Sequence, residues 1–82
     1  MESLVVSPKD LGMHLRRLRK NMGLTQAQLG NRVGLDQKKV SLIENGNQNS
    51  RLDTVFRLLS ALEVGIRIQP KIEPAATDKD GW

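Results

Sequence analysis

Apolar residues recur every three or four positions over most of residues 11–62, which is the spacing of one face of an α-helix. Four stretches with this pattern each follow a residue type that often caps a helix N-terminus. The sequence therefore predicts four helices, which follow Ser7, Thr25, Asp36, and Ser50 or one of its neighbours. Glycines suited to helix C-termini end the first two helices, and the pair Asn45-Gly46 ends the third.

The helix starts carry specific capping signals. Ser7 is followed by Pro8, which suits the first helical position. Thr25 and Gln28 have the spacing of a capping box, in which each side chain bonds the other residue's backbone N–H. The apolar stripes that follow are Leu11, Leu15, Leu18 and Met22 in the first helix, Val40 and Ile43 in the third, and Leu52, Val55, Phe56, Leu59 and Leu62 in the fourth.

The periodicity changes from helical to alternating after the fourth helix. Val64, Ile66 and Ile68 alternate with more polar residues or glycine, which predicts a short strand over residues 64–72. A single strand needs a partner, and no other segment of the chain has a strand pattern. The simplest partner is the same strand of a second copy, so these three residues are predicted to form a dimer interface. The alternatives to a strand are an extended tail that lies on the fourth helix and a fifth helix.

Composition narrows the range of functions. The 82-residue chain suits a single small domain, and it has no cysteine and one histidine, so we expect no enzyme, no metal site and no cofactor. Residues 9–57 contain ten Lys or Arg against four Asp or Glu, a charge block that suits a polyanion. No apolar run approaches the roughly 20 residues that span a bilayer, and no signal-peptide pattern is present. A cytoplasmic, nucleoid-associated protein is therefore expected.

The second and third predicted helices are short and joined by a tight turn at Gly34. This is the layout of a helix-turn-helix, whose second helix enters the DNA major groove. The run from Leu24 to Gly46, with its apolar frame, caps and terminal Glu-Asn-Gly, resembles the Xre/Cro-like helix-turn-helix family. The resemblance covers residues 8–63. It implies an all-α fold, a compact bundle of four or five helices, to which the chain adds the C-terminal strand.

Chemistry suggests how the third helix would read DNA. Gln37 can make a bidentate pair with adenine, and Lys38 can donate to guanine O6 and N7. Ser41, one turn further on, can also reach a base edge. Lys39 could contact a base or a phosphate, and it is assigned to the phosphates. Lys38 and Lys39 both lie near the positive end of the helix dipole, a placement that makes sense if DNA supplies negative charge.

Further residues are candidates for phosphate contacts. Gln26 resembles the glutamine with which this family grips a phosphate, at the N-terminus of the second helix. Asn47 and Arg51 follow the third helix in a polar loop and are predicted to hold other phosphates. On the first helix, Arg19 or Lys20 could reach the DNA backbone as well. Glu44 is expected to form an internal ion pair.

A narrower resemblance involves the C-terminal part of the chain. Ser-Pro near the start, the helix-turn-helix, a strand in place of a fifth helix, and a short tail with Trp82 together resemble HipB-type antitoxins. The resemblance implies a homodimer that represses its own toxin–antitoxin operon, is linked to persistence, and neutralises a HipA-like serine/threonine kinase toxin. Trp82 would then dock in a pocket of the toxin, as tryptophan is a strong interface anchor. A chance position for Trp82 is the alternative.

These predictions divide the chain into an N-terminal arm (1–7), a DNA-binding domain (8–63), a dimerisation strand (64–72) and a flexible tail (73–82). Since one such domain reads few base pairs, we expect a dimer on a palindromic operator with half-sites about one helical turn apart. Two other functions fit the same sequence. A free-standing phage-type repressor would need no partner protein. An interaction adaptor with this fold would show little salt-dependent association with DNA.

Overall fold

A computed structural model of the chain describes residues 4–71. Within that range it contains four helices, α1 (Pro8–Asn21), α2 (Gln26–Val33), α3 (Gln37–Glu44) and α4 (Leu52–Ala61). The all-α fold expected from the sequence is confirmed. Helix α1 packs against α3, and α2 packs against both α3 and α4. The predictions that concern residues 1–3 and 72–82, including Trp82, lie outside the described residues.

The predicted caps form as hydrogen bonds at the first three helix starts. The Ser7 hydroxyl accepts from the Asp10 backbone N–H at 3.0 Å, and the Asp36 carboxylate accepts from that of Lys39 at 2.9 Å. At α2 both bonds of the capping box between Thr25 and Gln28 are present. Helix α4 differs, because its N-cap is a neighbour of Ser50, Arg51, which makes no side-chain capping bond. These local bonds fix where α1 to α3 begin.

The core lies between the inward faces of all four helices. Its most deeply buried side chains are Leu15, Leu29, Val40 and Leu58. The predicted stripe of α4 is wrong in part, since Leu52 is 70% exposed and Phe56 is 46% exposed. The buried face of α4 comprises Thr54, Val55, Leu58 and Leu59, and buried Leu62 follows at the C-cap. Met22, the last residue of the predicted α1 stripe, is also exposed.

Helices α1 and α3 approach closely at Gly12. A methyl group at this position would overlap the backbone carbonyl of Glu44 at the end of α3. Gly30 on α2 plays the same part toward the carbonyl of Leu35, which precedes α3. Because both glycines lack a side chain, α1 and α2 can approach the backbone at the two ends of α3 closely. The remaining face of α3 lies on the surface.

The described part of the predicted C-terminal segment, residues 64–71, does not form a strand. Residues 4–71 contain no assigned strand, and the segment from Val64 to Pro70 has no regular secondary structure. Val64 packs on the chain's own core. Its N–H donates a hydrogen bond to the carbonyl of Leu59, in the last turn of α4. Ile66 and Ile68 are 51% and 93% exposed. No second strand lies among residues 4–71, so the pairing between two copies stays a prediction.

No helix among the described residues is both long enough and apolar enough to cross a membrane.

Candidate DNA-binding surface

The turn between α2 and α3 is built on Gly34. Gly34 has a φ of 75°, in the left-handed region that glycine adopts without a steric penalty. Its N–H and that of Leu35 both reach the Gly30 carbonyl, which closes α2. Asp36 then caps α3 two residues after the glycine. Two eight-residue helices are thus joined by a three-residue turn, which is the arrangement of a helix-turn-helix.

The first turn of α3 is exposed and positively charged. Gln37, Lys38 and Lys39 are all exposed, while Val40 and Ile43 on the opposite side are buried. No acidic residue lies in the first turn of the helix. Three of the predicted contact residues therefore share one surface, and a negatively charged ligand there would meet both lysines and the helix dipole.

Ser41 and Asn47 are less available than the residues of the first turn. Ser41 is half-buried, and its hydroxyl accepts from the Asn45 side-chain amide at 3.4 Å. Asn47, also half-buried, accepts the Asn49 backbone N–H on its Oδ1 at 2.8 Å. This second bond shapes the loop after α3. Both residues stay predicted DNA contacts, but each also has a bond within the protein.

Arg51 takes part in an exposed ion pair. Its guanidinium donates from Nε to the Asp53 carboxylate at 3.1 Å and from Nη2 at 3.3 Å. The hydrogen bond from Arg51 holds the pKa of the Asp53 carboxyl below its ordinary value. Because exposed pairs of this kind contribute little to stability, a phosphate can compete for the guanidinium at low cost. Arg51 therefore remains a predicted phosphate contact.

A buried polar network lies behind the exposed surface, and the sequence did not predict its extent. Glu44 accepts two hydrogen bonds from the Arg19 guanidinium, at 2.7 Å from Nε and 3.1 Å from Nη2. Arg19 also donates to the Leu24 carbonyl at 2.8 Å. The expected internal ion pair of Glu44 is confirmed, whereas the suggestion that Arg19 reaches a phosphate is wrong because it is only 7% exposed.

The network continues outward through Gln26. Its Nε2 donates to Glu44 Oε1 at 3.0 Å, and its Oε1 lies 3.5 Å from Gln37 Nε2, at the long limit of a hydrogen bond. The structure thus brings together two of the predicted contact residues, one from each helix of the motif. The partners are 25, 18 and 11 residues apart in sequence, so no local pattern could have indicated these contacts.

We expect Lys39→Glu to have opposite effects on stability and on DNA binding. A glutamate at this third helical position would complete a capping box with Asp36 and favour the helix dipole, which adds about 0.3–1 kcal/mol of stability. The same change would replace a positive charge on the surface with a negative one, weaken DNA binding, and lower its salt dependence by about one unit per half-site through the lost phosphate contact. Thermal unfolding and DNA titrations at several salt concentrations measure the two effects.

Lys39→Gln is the matched neutral control. Gln28 already completes the capping box of α2, so a glutamine at position 39 should recover part of the stability gain. Its loss of DNA affinity should be smaller than that of the glutamate. If both variants bind DNA with the wild-type salt dependence, Lys39 is a solvated side chain and not a phosphate contact.

Comparison with known proteins agrees with this geometry. A family model described as a helix-turn-helix domain matches residues 10–67. The antitoxin HipB of Escherichia coli (strain K12) is 31% identical over 64 residues, which cover 78% of this chain and 73% of that protein.

Solved structures are similar over nearly the whole chain. A HipB–O4 20mer complex has a TM-score of 0.80 and 28% identity, and the match covers 87% of this chain and 100% of that one. A HipA–HipB–O2–O3 complex has a TM-score of 0.79 with the same identity and coverage. This chain is therefore similar to these proteins both in sequence and in the arrangement of its helices.

Proposed function

Since this chain belongs to the HipB-type antitoxins of the Xre-like helix-turn-helix family, we propose that it represses its own toxin–antitoxin operon and neutralises a HipA-type serine/threonine kinase. The relatives that match it include antitoxins and an HTH-type transcriptional regulator. One observation carries the DNA-binding part of the proposal. The first turn of α3 presents Gln37 and two lysines on an exposed surface, and the one acidic residue beside them, Asp36, is engaged in capping the helix.

The DNA contacts are assigned by exposure and chemistry. Gln37, Lys38 and Ser41 read base edges, because an amide, an ammonium and a hydroxyl match the donors and acceptors of the major groove. The phosphate contacts come from side chains around them, which are Gln26, Lys39, Asn47 and Arg51. Gln26 fits this role well, since one of its two Nε2 protons is used by Glu44 and the other is left for a phosphate oxygen.

Dimerisation would complete the DNA-binding unit. Ile66 and Ile68 are large apolar side chains that one copy of the chain leaves exposed, five and seven residues after the end of α4 at Ala61. Pairing of residues 64–72 with a second copy would cover both isoleucines, and Val64 would connect the interface to the core. The two recognition helices would then be related by a two-fold axis, as a palindromic operator requires.

The toxin-binding part of the proposal rests on the family and on Trp82. HipB occurs with HipA in a solved complex that is similar to this chain. Trp82 is the one tryptophan of the sequence and follows a polar segment, so it is the strongest candidate for an anchor in the partner. DNA and toxin would thus be bound by different parts of the chain.

The test is purification of the N-terminally tagged full chain from its own host, with identification of the proteins that elute with it. We expect a stoichiometric partner with a kinase fold. Trp82→Ala should weaken that complex about thirtyfold or more, as expected for an interface anchor, and leave operator binding unchanged. The reciprocal variant, Gln37→Ala with Lys38→Ala, should keep the partner and lose the operator.

The outcomes separate the antitoxin from its alternatives. A clean dimer that represses its promoter without a kinase partner would contradict the toxin-binding proposal and favour a free-standing repressor. A protein that binds a kinase but shows no salt-dependent DNA association would instead be an interaction adaptor.

A further inference from the structure

We propose that the buried Arg19–Glu44 pair sets the direction in which the Gln37 amide faces DNA, and that Glu44 is thereby a specificity-determining residue. The inference rests on the proposed role of Gln37 as a base-reading residue. It concerns positioning, because Glu44 is 5% exposed and lies behind the DNA-binding surface. Its effect passes through one intermediate side chain, Gln26.

The first step is the fixed position of the Glu44 carboxylate. Arg19 binds it through Nε and Nη2, and the third bond of the guanidinium, from Nη1 to the Leu24 carbonyl, fixes Arg19 itself. Planar, bidentate pairing of this kind restricts orientation as well as distance. Glu44 Oε1 is therefore presented to Gln26 from a site that has little freedom to move.

The second step is the orientation of the Gln26 amide. An ionised carboxylate accepts hydrogen bonds and has no proton to donate, so only the nitrogen end of the amide can face Glu44. The 3.0 Å bond from Gln26 Nε2 to Glu44 Oε1 has this polarity. The reversed amide would place two oxygens against each other in a partly buried site. Gln26 Oε1 consequently points toward α3.

The third step carries the same polarity to Gln37. Gln26 Oε1 can only accept, and the group nearest to it on Gln37 is Nε2, at 3.5 Å. One proton of the Gln37 amide nitrogen is directed toward Gln26, which leaves its second proton and Oε1 for the base. A donor beside an acceptor is the combination that pairs with N7 and N6 of adenine. Guanine offers two acceptors at the same edge and cannot satisfy Oε1.

Through these hydrogen bonds, the buried carboxylate of Glu44 fixes the orientation of the Gln37 amide, and this orientation favours adenine over guanine. Without Glu44, the Gln26 amide could face either way and would no longer hold Gln37 in one orientation. Gln37 could then donate its amide protons to guanine O6 or N7 as readily as to adenine N7. We expect binding to persist in that case, with discrimination lost at the base pair that Gln37 reads.

The experiment uses the full chain and a DNA duplex that the wild-type protein selects from a randomised library. Gln37→Ala first identifies the base pair whose preference depends on Gln37. Dissociation constants are then measured for duplexes that carry adenine or guanine at that position, for the wild type and for the double variant Arg19→Met, Glu44→Leu. Replacing both partners keeps the buried site filled without leaving one charge unpaired.

For the double variant, we expect the adenine-to-guanine affinity ratio to fall about tenfold, most of what a bidentate amide contact provides. Binding to a scrambled duplex should stay unchanged, because no exposed positive charge is lost. Val55→Ala is the matched control. It removes buried apolar volume from α4 without touching the network, so it should lower stability and leave the affinity ratio intact.

The outcomes distinguish the inference from the function on which it depends. A folded double variant with the wild-type affinity ratio would overturn the positioning role and leave base reading by Gln37 in place. If Gln37→Ala alters no base preference, the proposed DNA reading fails as well.

If the double variant does not fold, NMR of the wild-type protein decides instead. One Gln26 side-chain amide proton should exchange slowly with solvent, because it is bonded to Glu44, and the other quickly. Equal, fast exchange of both protons would overturn the inference.

Discussion

Glu44→Leu alone is expected to destabilise the protein by about 3–5 kcal/mol, the usual cost of leaving one partner of a buried ion pair without the other. Arg19 is 7% exposed and directs two of its donors at the Glu44 carboxylate. After the substitution its charge would remain in the interior with a single bond, to the Leu24 carbonyl. Small domains have only about 5–15 kcal/mol of total stability, so the variant would be partly unfolded at moderate temperature.

The double variant Arg19→Met, Glu44→Leu is expected to recover most of this loss, since apolar side chains of similar volume often replace a buried ion pair at little cost. Leu24 is half-exposed, so water can take the place of Arg19 at its carbonyl. Urea unfolding of the wild type, both single variants and the double variant gives the coupling energy. If the two substitutions change the free energy of unfolding additively, Arg19 and Glu44 do not stabilise the fold through their contact with each other.

Gln37→Ala with Lys38→Ala is expected to reduce affinity for the selected operator to that for a scrambled duplex. Each good contact to a base edge provides about 1–3 kcal/mol of discrimination, and a dimer loses every such contact twice. The core should be unaffected, because both side chains are exposed and neither contributes the Asp36 cap. The salt slope should fall only modestly, since the phosphate contacts remain.

The comparison of the two duplexes needs a control for charge. Arg16 is an exposed base on α1, outside the α3 surface, so Arg16→Ala removes a positive charge without touching a predicted base contact. We expect it to leave the ratio of specific to scrambled affinity unchanged. A double variant at positions 37 and 38 that keeps the wild-type ratio would mean that α3 does not read the DNA sequence.

The residues that could be predicted from the sequence are those governed by short-range interactions. The caps at Ser7, Thr25 and Asp36 involve partners three residues away, and Gly34 satisfies a local backbone requirement. Such signals give three of the four helices and the turn between α2 and α3. The position of the recognition helix, and with it Gln37 and Lys38, follows from these alone.

Long-range packing accounts for what the sequence did not reveal. Leu52 and Phe56 have helical spacing with Val55 and Leu59, but α4 packs with Leu58 inward, and the apolar pattern alone could not distinguish these faces. The contact of Glu44 with Arg19 joins α3 to α1 across 25 residues. The described residues contain no strand, and the predicted pairing of residues 64–72 with a second copy remains a prediction, because a strand needs a partner strand that lies far away in sequence or in another chain.

Selection of duplex DNA from a randomised library by the wild-type chain tests the central claim most directly, because it needs neither a known operator nor a variant protein. We expect enrichment of an inverted repeat with half-site centres about 10 base pairs apart or a multiple of that distance, as two recognition helices related by a two-fold axis require. A library that remains random after repeated rounds would contradict sequence-specific DNA reading by this helix-turn-helix.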